Sequence, residues 1–280
     1  KKNSGFRTTR MHGNTHPYIS TGMKKSKFGI ASDRALEEYK MASSLDHIDV
    51  IGVHAHIGSQ LTEVTPFVDS LKKVVTLIHT LKSQGITIRY LNIGGGLGIT
   101  YSEEKPPLPQ DLANAISPLV KDLGLTLVME PGRVIVGNAG ILVTKALYEK
   151  AGETKHFVIV DAAMNDLIRP SLYGAYHEIR PVNEDALHRT RQTVDIVGPV
   201  CESGDFLAKD RSLPGTKPGE LLAVMSAGAY GFVMASNYNS RPRVPEVLVK
   251  GGEFHVIRER ETYDDLVRGE RIPSFLNETE

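Results

Sequence analysis

Apolar positions follow two different rhythms along this chain, and the change falls near residue 140. Between residues 63 and 83, Phe67, Val68, Leu71, Val74, Val75, Ile78 and Leu81 fall on one helical face, while Lys72, Lys73 and Lys82 fall largely elsewhere. That spacing predicts an amphipathic helix, and Gly85 is placed to end it. A second helix is predicted over about Gln110 to Leu123, with Leu112, Ile116, Leu119 and Leu123 as its stripe and Pro118 inside it. An earlier helical stretch runs from Asp33, a suitable N-cap, to about Ser44. Between these lie mostly apolar runs at Val50–Ile57, Ile88–Ile93 and Leu125–Met129, which read as strands, the first of them buried on both faces. Strands alternating with helices over connections of this length predict right-handed parallel β/α units. Residues 1–14 hold neither period and are expected to be irregular.

Beyond Gly140 the predicted elements are short strands: Ile141–Tyr148, His156–Val160, Thr193–Val200, Leu221–Met225, Glu246–Val249 and Glu253–Ile257. Loops rich in Gly, Pro, Asp and Ser separate them, with little helical text. The expectation is a β/α part over residues 15–138 and a mostly antiparallel β domain over 139–280, with the boundary near Gly137–Gly140.

Composition narrows the class of partner. Thirty-three basic and thirty-three acidic residues cancel, so no global field draws the chain to nucleic acid or to anionic lipid. A small-molecule partner is expected. No stretch approaches the 18 or so apolar residues of a membrane span, and Lys1-Lys2-Asn3-Ser4 leads into no apolar segment of the signal-peptide kind. The single cysteine, Cys201, excludes an internal disulfide and suits a reducing compartment. A soluble, cytoplasmic protein is expected, with a plastid location left open.

Candidate chemistry gathers at the predicted strand ends. The first strand leads into His56-Ile57-Gly58-Ser59, the second into Gly94-Gly95-Gly96, and the third into Glu130-Pro131-Gly132-Arg133. In parallel β/α sheets and barrels, ligands sit at the carboxyl ends of strands. Glycine N–H groups can cradle a phosphate there because no Cβ holds the anion away. A histidine able to stack, glycine amides and a carboxylate beside an arginine suit a phosphorylated aromatic cofactor. His54 and His56 project to one strand face, so a metal pair is conceivable, but no Cys, Asp or Glu lies close by in sequence to complete a ligand set. A hydrogen-bonded core histidine is the alternative, and it fits His54 better than His56.

The second part carries four polar clusters: Arg169-Pro170-Ser171-Leu172-Tyr173, Cys201-Glu202-Ser203-Gly204-Asp205, Ala227-Gly228-Ala229-Tyr230-Gly231 and Asn237-Tyr238-Asn239-Ser240-Arg241-Pro242. The last reads as a surface loop. The other three together favour a site between the two parts, although each alone is as readily structural.

In order along the chain, His16-Pro17-Tyr18-Ile19-Ser20-Thr21-Gly22, Lys27-Phe28-Gly29-Ile30, His56-Ile57-Gly58-Ser59, Asn92-Ile93-Gly94-Gly95-Gly96, Glu130-Pro131-Gly132-Arg133, the Arg169 and Cys201 blocks and Gly228-Ala229-Tyr230-Gly231 resemble the diaminopimelate decarboxylase family. That family has the alanine-racemase-like fold of pyridoxal-phosphate enzymes. The resemblance implies an α/β plus β fold class, in which the C-terminal part of a β/α (TIM-like) barrel precedes the antiparallel β domain. It further implies decarboxylation of meso-2,6-diaminopimelate to L-lysine with pyridoxal 5'-phosphate, in a homodimer with shared active sites.

By the same resemblance, His56 stacks on the cofactor ring and Glu130 holds the proton on its ring nitrogen. Ser59, Gly94, Gly95, Gly96, Gly132 and Tyr230 surround the phosphate, with Arg133 beside them. Arg133, Arg169, Tyr173, Glu202 and Tyr230 take the substrate, whose far carboxylate suits the planar fork of an arginine. Cys201 returns a proton to the reacting carbon across the dimer interface; in isolation it would read as a small buried hydrophobe. One part of the pattern is absent: no segment resembles Tyr-Ala-Xaa-Lys-Ala, which bears the family's Schiff-base lysine. The three predicted strands would be the last three of eight. The expectation is therefore a C-terminal fragment or a truncated reading frame with exposed apolar edges, and the alternatives are a decarboxylase of a related diamino acid or a non-catalytic cofactor-binding chain.

Overall fold

The computed structural model describes the backbone of residues 2–8 and residues 28–276 in full. The His16–Gly22 block and Lys27 lie outside the described residues. The chain divides into two compact units, residues 1–140 and 141–280.

The first unit is a parallel sheet of β1 (Lys2–Thr8), β2 (Ile48–Ala55), β3 (Tyr90–Asn92) and β4 (Thr126–Val128), adjacent in that order, with helices α1 (Ala35–Ser43), α2 (Thr65–Ser83), α3 (Pro109–Val120) and α4 (Arg133–Val136). β1 corrects the expectation of irregular chain at residues 1–14. It pairs with β2 from Lys2–Ile48 to Thr8–Ala55, with a register break between Ser4 and Gly5. Backbone donors and acceptors on the edge of β2 order this segment, and they need no apolar pattern in their partner. The sheet therefore has four strands rather than the three expected.

Periodicity serves α2 well. Phe67, Leu71, Val74, Ile78 and Leu81 are buried and share one core with Val53 and Leu91 of the sheet and with Leu112 and Ile116 of α3. Each fully buried side chain of this kind contributes roughly 1.5–3 kcal/mol. The helix closes in a Schellman motif: Gly85, at φ +78°, donates to Lys82 O, and Ile86 donates to Leu81 O. The expected N-cap at Asp33 is not used. The cap of α1 is Arg34, which makes no capping bond through its side chain and reaches forward instead to Glu38 at 2.5 Å. α3 stops at Val120 rather than Leu123, close behind Pro118, whose ring removes one helical N–H.

The second unit is built on a six-stranded sheet in the order β7-β10-β5-β6-β8-β9. Its strands are β5 (Leu142–Ala151), β6 (His156–Val160), β7 (Ile179–Pro181), β8 (Arg191–Val197), β9 (Phe206–Pro214) and β10 (Leu221–Val224), with the short helix α5 (Arg169–Tyr173) between β6 and β7. Only β6 and β8 run parallel; the other ladders are antiparallel. β11 (Glu246–Lys250) and β12 (Glu253–Arg258) form a separate hairpin, followed by α6 (Tyr263–Val267). Val158, Val160, Ile196, Leu207, Leu213, Leu222 and Val224 form the core.

β9 was not foreseen, because a bulge divides it into two short apolar pieces. Asp210 stands at φ +48° and donates its N–H to Asp195 Oδ1 at 2.6 Å, opposite a register break between Val194 and Ile196.

A polar clamp joins the chain just before β8 to the chain just before β10. Arg189 donates to both oxygens of Glu220, at 2.7 and 2.6 Å, and the Lys217 N–H adds a third bond at 2.8 Å. The Arg189 guanidinium is the main reason the Glu220 carboxyl is held down at about 2 from its ordinary 4.5. A depressed carboxyl stabilises the folded state above its unfolded value and loses that contribution as pH falls through its folded value. Glu220→Gln is accordingly expected to be less stable than the parent at pH 7. The gap should narrow below about 4.5 and close near 2, as read by urea denaturation across that range.

Candidate functional site

Parallel pairing sets His54, Asn92 and Val128 side by side on β2, β3 and β4. Two residues further along each strand, the chain reaches His56, Gly94 and Glu130. The three strand ends stay in contact beyond the sheet: the Glu130 N–H donates to Gly94 O at 2.8 Å, and the Gly95 N–H donates to His56 Nδ1 at 3.2 Å. Because Nδ1 accepts, a neutral His56 ring carries its proton on Nε2.

Close approach explains the glycine triplet. A Cβ on Gly95 would stand 1.9 Å from Glu130 O, and one on Gly96 would stand 2.2 Å from Gly58 O. Gly94 and Gly96 also have left-handed backbones, at φ +70° and +113°. Two of the three amides have internal partners, since Gly94 donates to Asn92 Oδ1 at 2.8 Å and Gly95 to His56. The glycines thus serve first to let the three backbones meet.

Asn92 bridges the junction. While Oδ1 accepts from Gly94, Nδ2 donates to Glu130 Oε1 at 2.8 Å, and His54 Nε2 stands 3.5 Å from the same oxygen. Both contacts fall on Oε1, and the Glu130 side chain keeps 49% of its surface open. The carboxylate is oriented by one oxygen and presented by the other. Behind it, Arg133 opens α4 after Gly132 and is buried; Nη2 donates to Ser59 Oγ at 3.1 Å, and Nη1 donates to the Tyr101 hydroxyl. Ser59 and Arg133 are therefore direct partners. Among the described residues no group of three or more His, Cys, Asp and Glu is arranged to hold a metal.

The other candidate residues belong to the second unit, where side chains join the clusters seen in sequence. Arg169, buried at the start of α5, donates to His177 Nε2 at 2.7 Å, and His177 Nδ1 reaches Met225 O at 2.8 Å, at the entry to the turn that carries Tyr230. Ser171, two residues before Tyr173, donates its hydroxyl to Gly204 O. Glu202 accepts from the Tyr238 hydroxyl, and that bond raises the Tyr238 pKa. Asn237–Pro242 is the expected surface loop, but it is also fastened to the site: Arg241 donates to Asn165 Oδ1 at 2.9 Å and to Asp161 O at 2.6 Å. Cys201 is exposed, which rules out the buried-hydrophobe reading. Tyr230 has a left-handed backbone, at φ +59°, and a partly exposed ring.

Comparison with known proteins adds the decisive observation. Residues 6–137 match the family described as "Pyridoxal-dependent decarboxylase, pyridoxal binding domain". The chain is 55% identical over 259 residues to a diaminopimelate decarboxylase of Pseudomonas aeruginosa, covering 92% of this chain and 61% of that protein. It is 53% identical over 254 residues to the Aquifex aeolicus enzyme of that name, covering 90% and 60%. A crystal structure of Helicobacter pylori diaminopimelate decarboxylase complexed with L-lysine superposes with a TM-score of 0.88 at 42% identity, covering 96% of this chain and 66% of that one. Over the stretch that it shares with them, the chain is similar in sequence and in fold to diaminopimelate decarboxylases.

It spans about 60% of the length of the curated relatives it matches. The likeness to such solved structures establishes the fold class: part of a β/α barrel followed by a mostly antiparallel β domain. Among the described residues no helix is long and apolar enough to cross a membrane.

Sequence reasoning named the glycines and Glu130 but passed over Asn92 and Tyr101 as site residues. Asn92 left a signal, as a polar side chain at the end of a buried run; Tyr101 left none. The packing of the triplet generates a direct expectation. Gly95→Ala should force β3 and the β4 exit apart and lower the unfolding free energy by about 1–3 kcal/mol, the usual range for overpacking. A shifted urea midpoint checks this, and an unchanged midpoint would show that the strand ends yield freely.

Proposed function

We propose that the protein decarboxylates meso-2,6-diaminopimelate to L-lysine with pyridoxal 5'-phosphate, in the cytoplasm, as a homodimer. The observation that carries this reading is the Glu130 carboxylate at the end of β4, fixed through Oε1 by Asn92 and half open to solvent, with His56 at the end of β2 joined to the same glycine turn. The residues present suit the cofactor: a carboxylate for a ring nitrogen, an imidazole for a ring face, and a tight glycine turn with the Ser59 hydroxyl and Arg133 close by. When bound, pyridoxal phosphate takes up the electron pair left as the bond to the departing carboxylate breaks.

Glu130 keeps a proton at the ring nitrogen, through a charge-assisted bond of roughly 1.5–3 kcal/mol. His56 covers the ring. Ser59, Gly94, Gly95, Gly96, Gly132, Arg133 and Tyr230 take the phosphate; because the Gly94 and Gly95 amides already have partners, Gly96 and the Ser59 hydroxyl carry more of that task than the sequence suggested. Arg133, Arg169, Tyr173, Glu202 and Tyr230 hold the substrate, the arginines binding its far carboxylate in a planar fork. Exposed Cys201 is offered to a second subunit, where its thiol returns a proton to the reacting carbon.

A segment resembling the family's lysine motif does not occur in these 280 residues, so the test follows the lysine. The full-length protein is reduced with borohydride in the presence of stoichiometric pyridoxal phosphate, mapped by peptide mass, and assayed for carbon dioxide release from diaminopimelate. One labelled lysine with turnover supports the reading; scattered labelling without carbon dioxide overturns it. In the same protein, Glu130→Gln is expected to lower turnover by about 100-fold or more, and full activity would remove Glu130 from the ring nitrogen.

A further inference from the structure

We propose that His177 is the positioning residue for Arg169, fixing the direction of its guanidinium while leaving the charge to the substrate carboxylate. The inference rests on the substrate reading above and adds a residue to it. His177 is fully buried, and its two ring nitrogens have different partners: Nε2 lies 2.7 Å from Arg169 Nη1, and Nδ1 lies 2.8 Å from Met225 O. A guanidinium can only donate and a carbonyl can only accept. Nε2 must therefore carry the lone pair and Nδ1 the proton, so the ring is neutral and its tautomer is fixed from both sides.

The mounting of this histidine is rigid. Its own carbonyl accepts from Arg211 Nη1 at 2.7 Å, which ties it to β9, and the next residue, Glu178, accepts the Met225 N–H at 2.8 Å, which ties it to the end of β10. Arg169 is anchored from its own side as well, because Ser171 in the same short helix bonds to Gly204 O. An imidazole acceptor and a carboxylate acceptor would orient the guanidinium equally well. Only the imidazole does so without offsetting the positive charge, which is what a group meant to bind an anion requires. Partners of this kind commonly fix the geometry of a binding group.

The test uses the full-length holoenzyme with His177→Leu, His177→Gln and His177→Asn. Leu removes the acceptor, Gln restores a neutral acceptor near the position of Nε2, and Asn stops short of it. Losing a charge-assisted bond at a group that binds ground and transition states alike should raise KM for diaminopimelate by about 10- to 100-fold in the Leu variant and leave kcat within a few-fold. Gln should return KM most of the way to the parent value, and Asn should not. The dissociation constant of L-lysine, which keeps the far carboxylate, should rise in parallel, whereas that of 1,5-diaminopentane, which has no carboxylate, should stay put.

Equal loss of both ligands would make His177 merely structural and overturn the proposal. So would an unaltered KM in a folded Leu variant. If the Leu variant does not fold, the Gln and Asn pair decides, and equal KM values for the two would overturn the proposal. A parent enzyme that releases no carbon dioxide overturns the substrate reading instead, so the two failures are distinguishable.

Discussion

The distance to which three parallel backbones can approach one another governs the first unit. Strands in a sheet keep their ordinary spacing because side chains point above and below it, yet beyond Asn92 the chain runs almost onto the exit of β4, with room for hydrogen where a methyl group would stand. Such contact leaves polar groups with little access to water, and an unmet N–H or C=O there is costly. The junction resolves this internally. The Glu130 N–H donates to Gly94 O, while the Asn92 amide supplies an acceptor to the Gly94 N–H and a donor to the Glu130 carboxylate. An amide is suited to this position because it offers both functions and no charge: an aspartate would repel Glu130, and a leucine would leave both neighbours wanting.

The second unit meets its constraint differently, by burying carboxylates and arginines among backbone amides. Asp205 accepts the N–H groups of Met164 and Val200, and Asp166 accepts that of Ala163; burial nonetheless raises the pKa of both. These groups hold irregular loops to the sheet where no ladder is available. Arg169, Glu202 and the Asn237–Pro242 loop are likewise held by polar contacts more than by regular secondary structure.

What could be read from the sequence divides along that line. Where burial imposes a period, as in α2 with Leu71, Val74 and Ile78, the pattern and the element coincide. The runs that became β2 and β6 were likewise plain, being mostly apolar. β1 was invisible because residues 1–14 hold no period, and its backbone pairing to the edge of β2 leaves no mark in the sequence. β9 was obscured by the turn of Asp210 within it, and the cap of α1 slipped by one residue because Asp33 and Arg34 compete for one boundary. In the site, chemistry concentrated in short motifs stood out: three glycines, a glutamate before Pro-Gly-Arg, an arginine before proline. Residues that act through others did not. His177 lies eight positions from Arg169 and Tyr101 thirty-two from Arg133, and nothing in linear order marks either pair.

The β11–β12 hairpin hides almost none of its apolar surface. Val247, Leu248, Val249, Phe254, Val256 and Ile257 are all exposed; an Arg258–Glu246 ion pair at 2.6 Å joins its two strands, and the Arg258 guanidinium lies over the Phe232 ring outside it. An isolated two-stranded ribbon is marginal in water, and local opening scales with how little apolar surface a segment buries. Its amides are therefore expected to exchange with solvent more readily than those of Val158 or Ile196 in the sheet core. Protection is layered along the chain, and a single melting temperature would describe the six-stranded sheet while saying almost nothing about the ribbon attached to it.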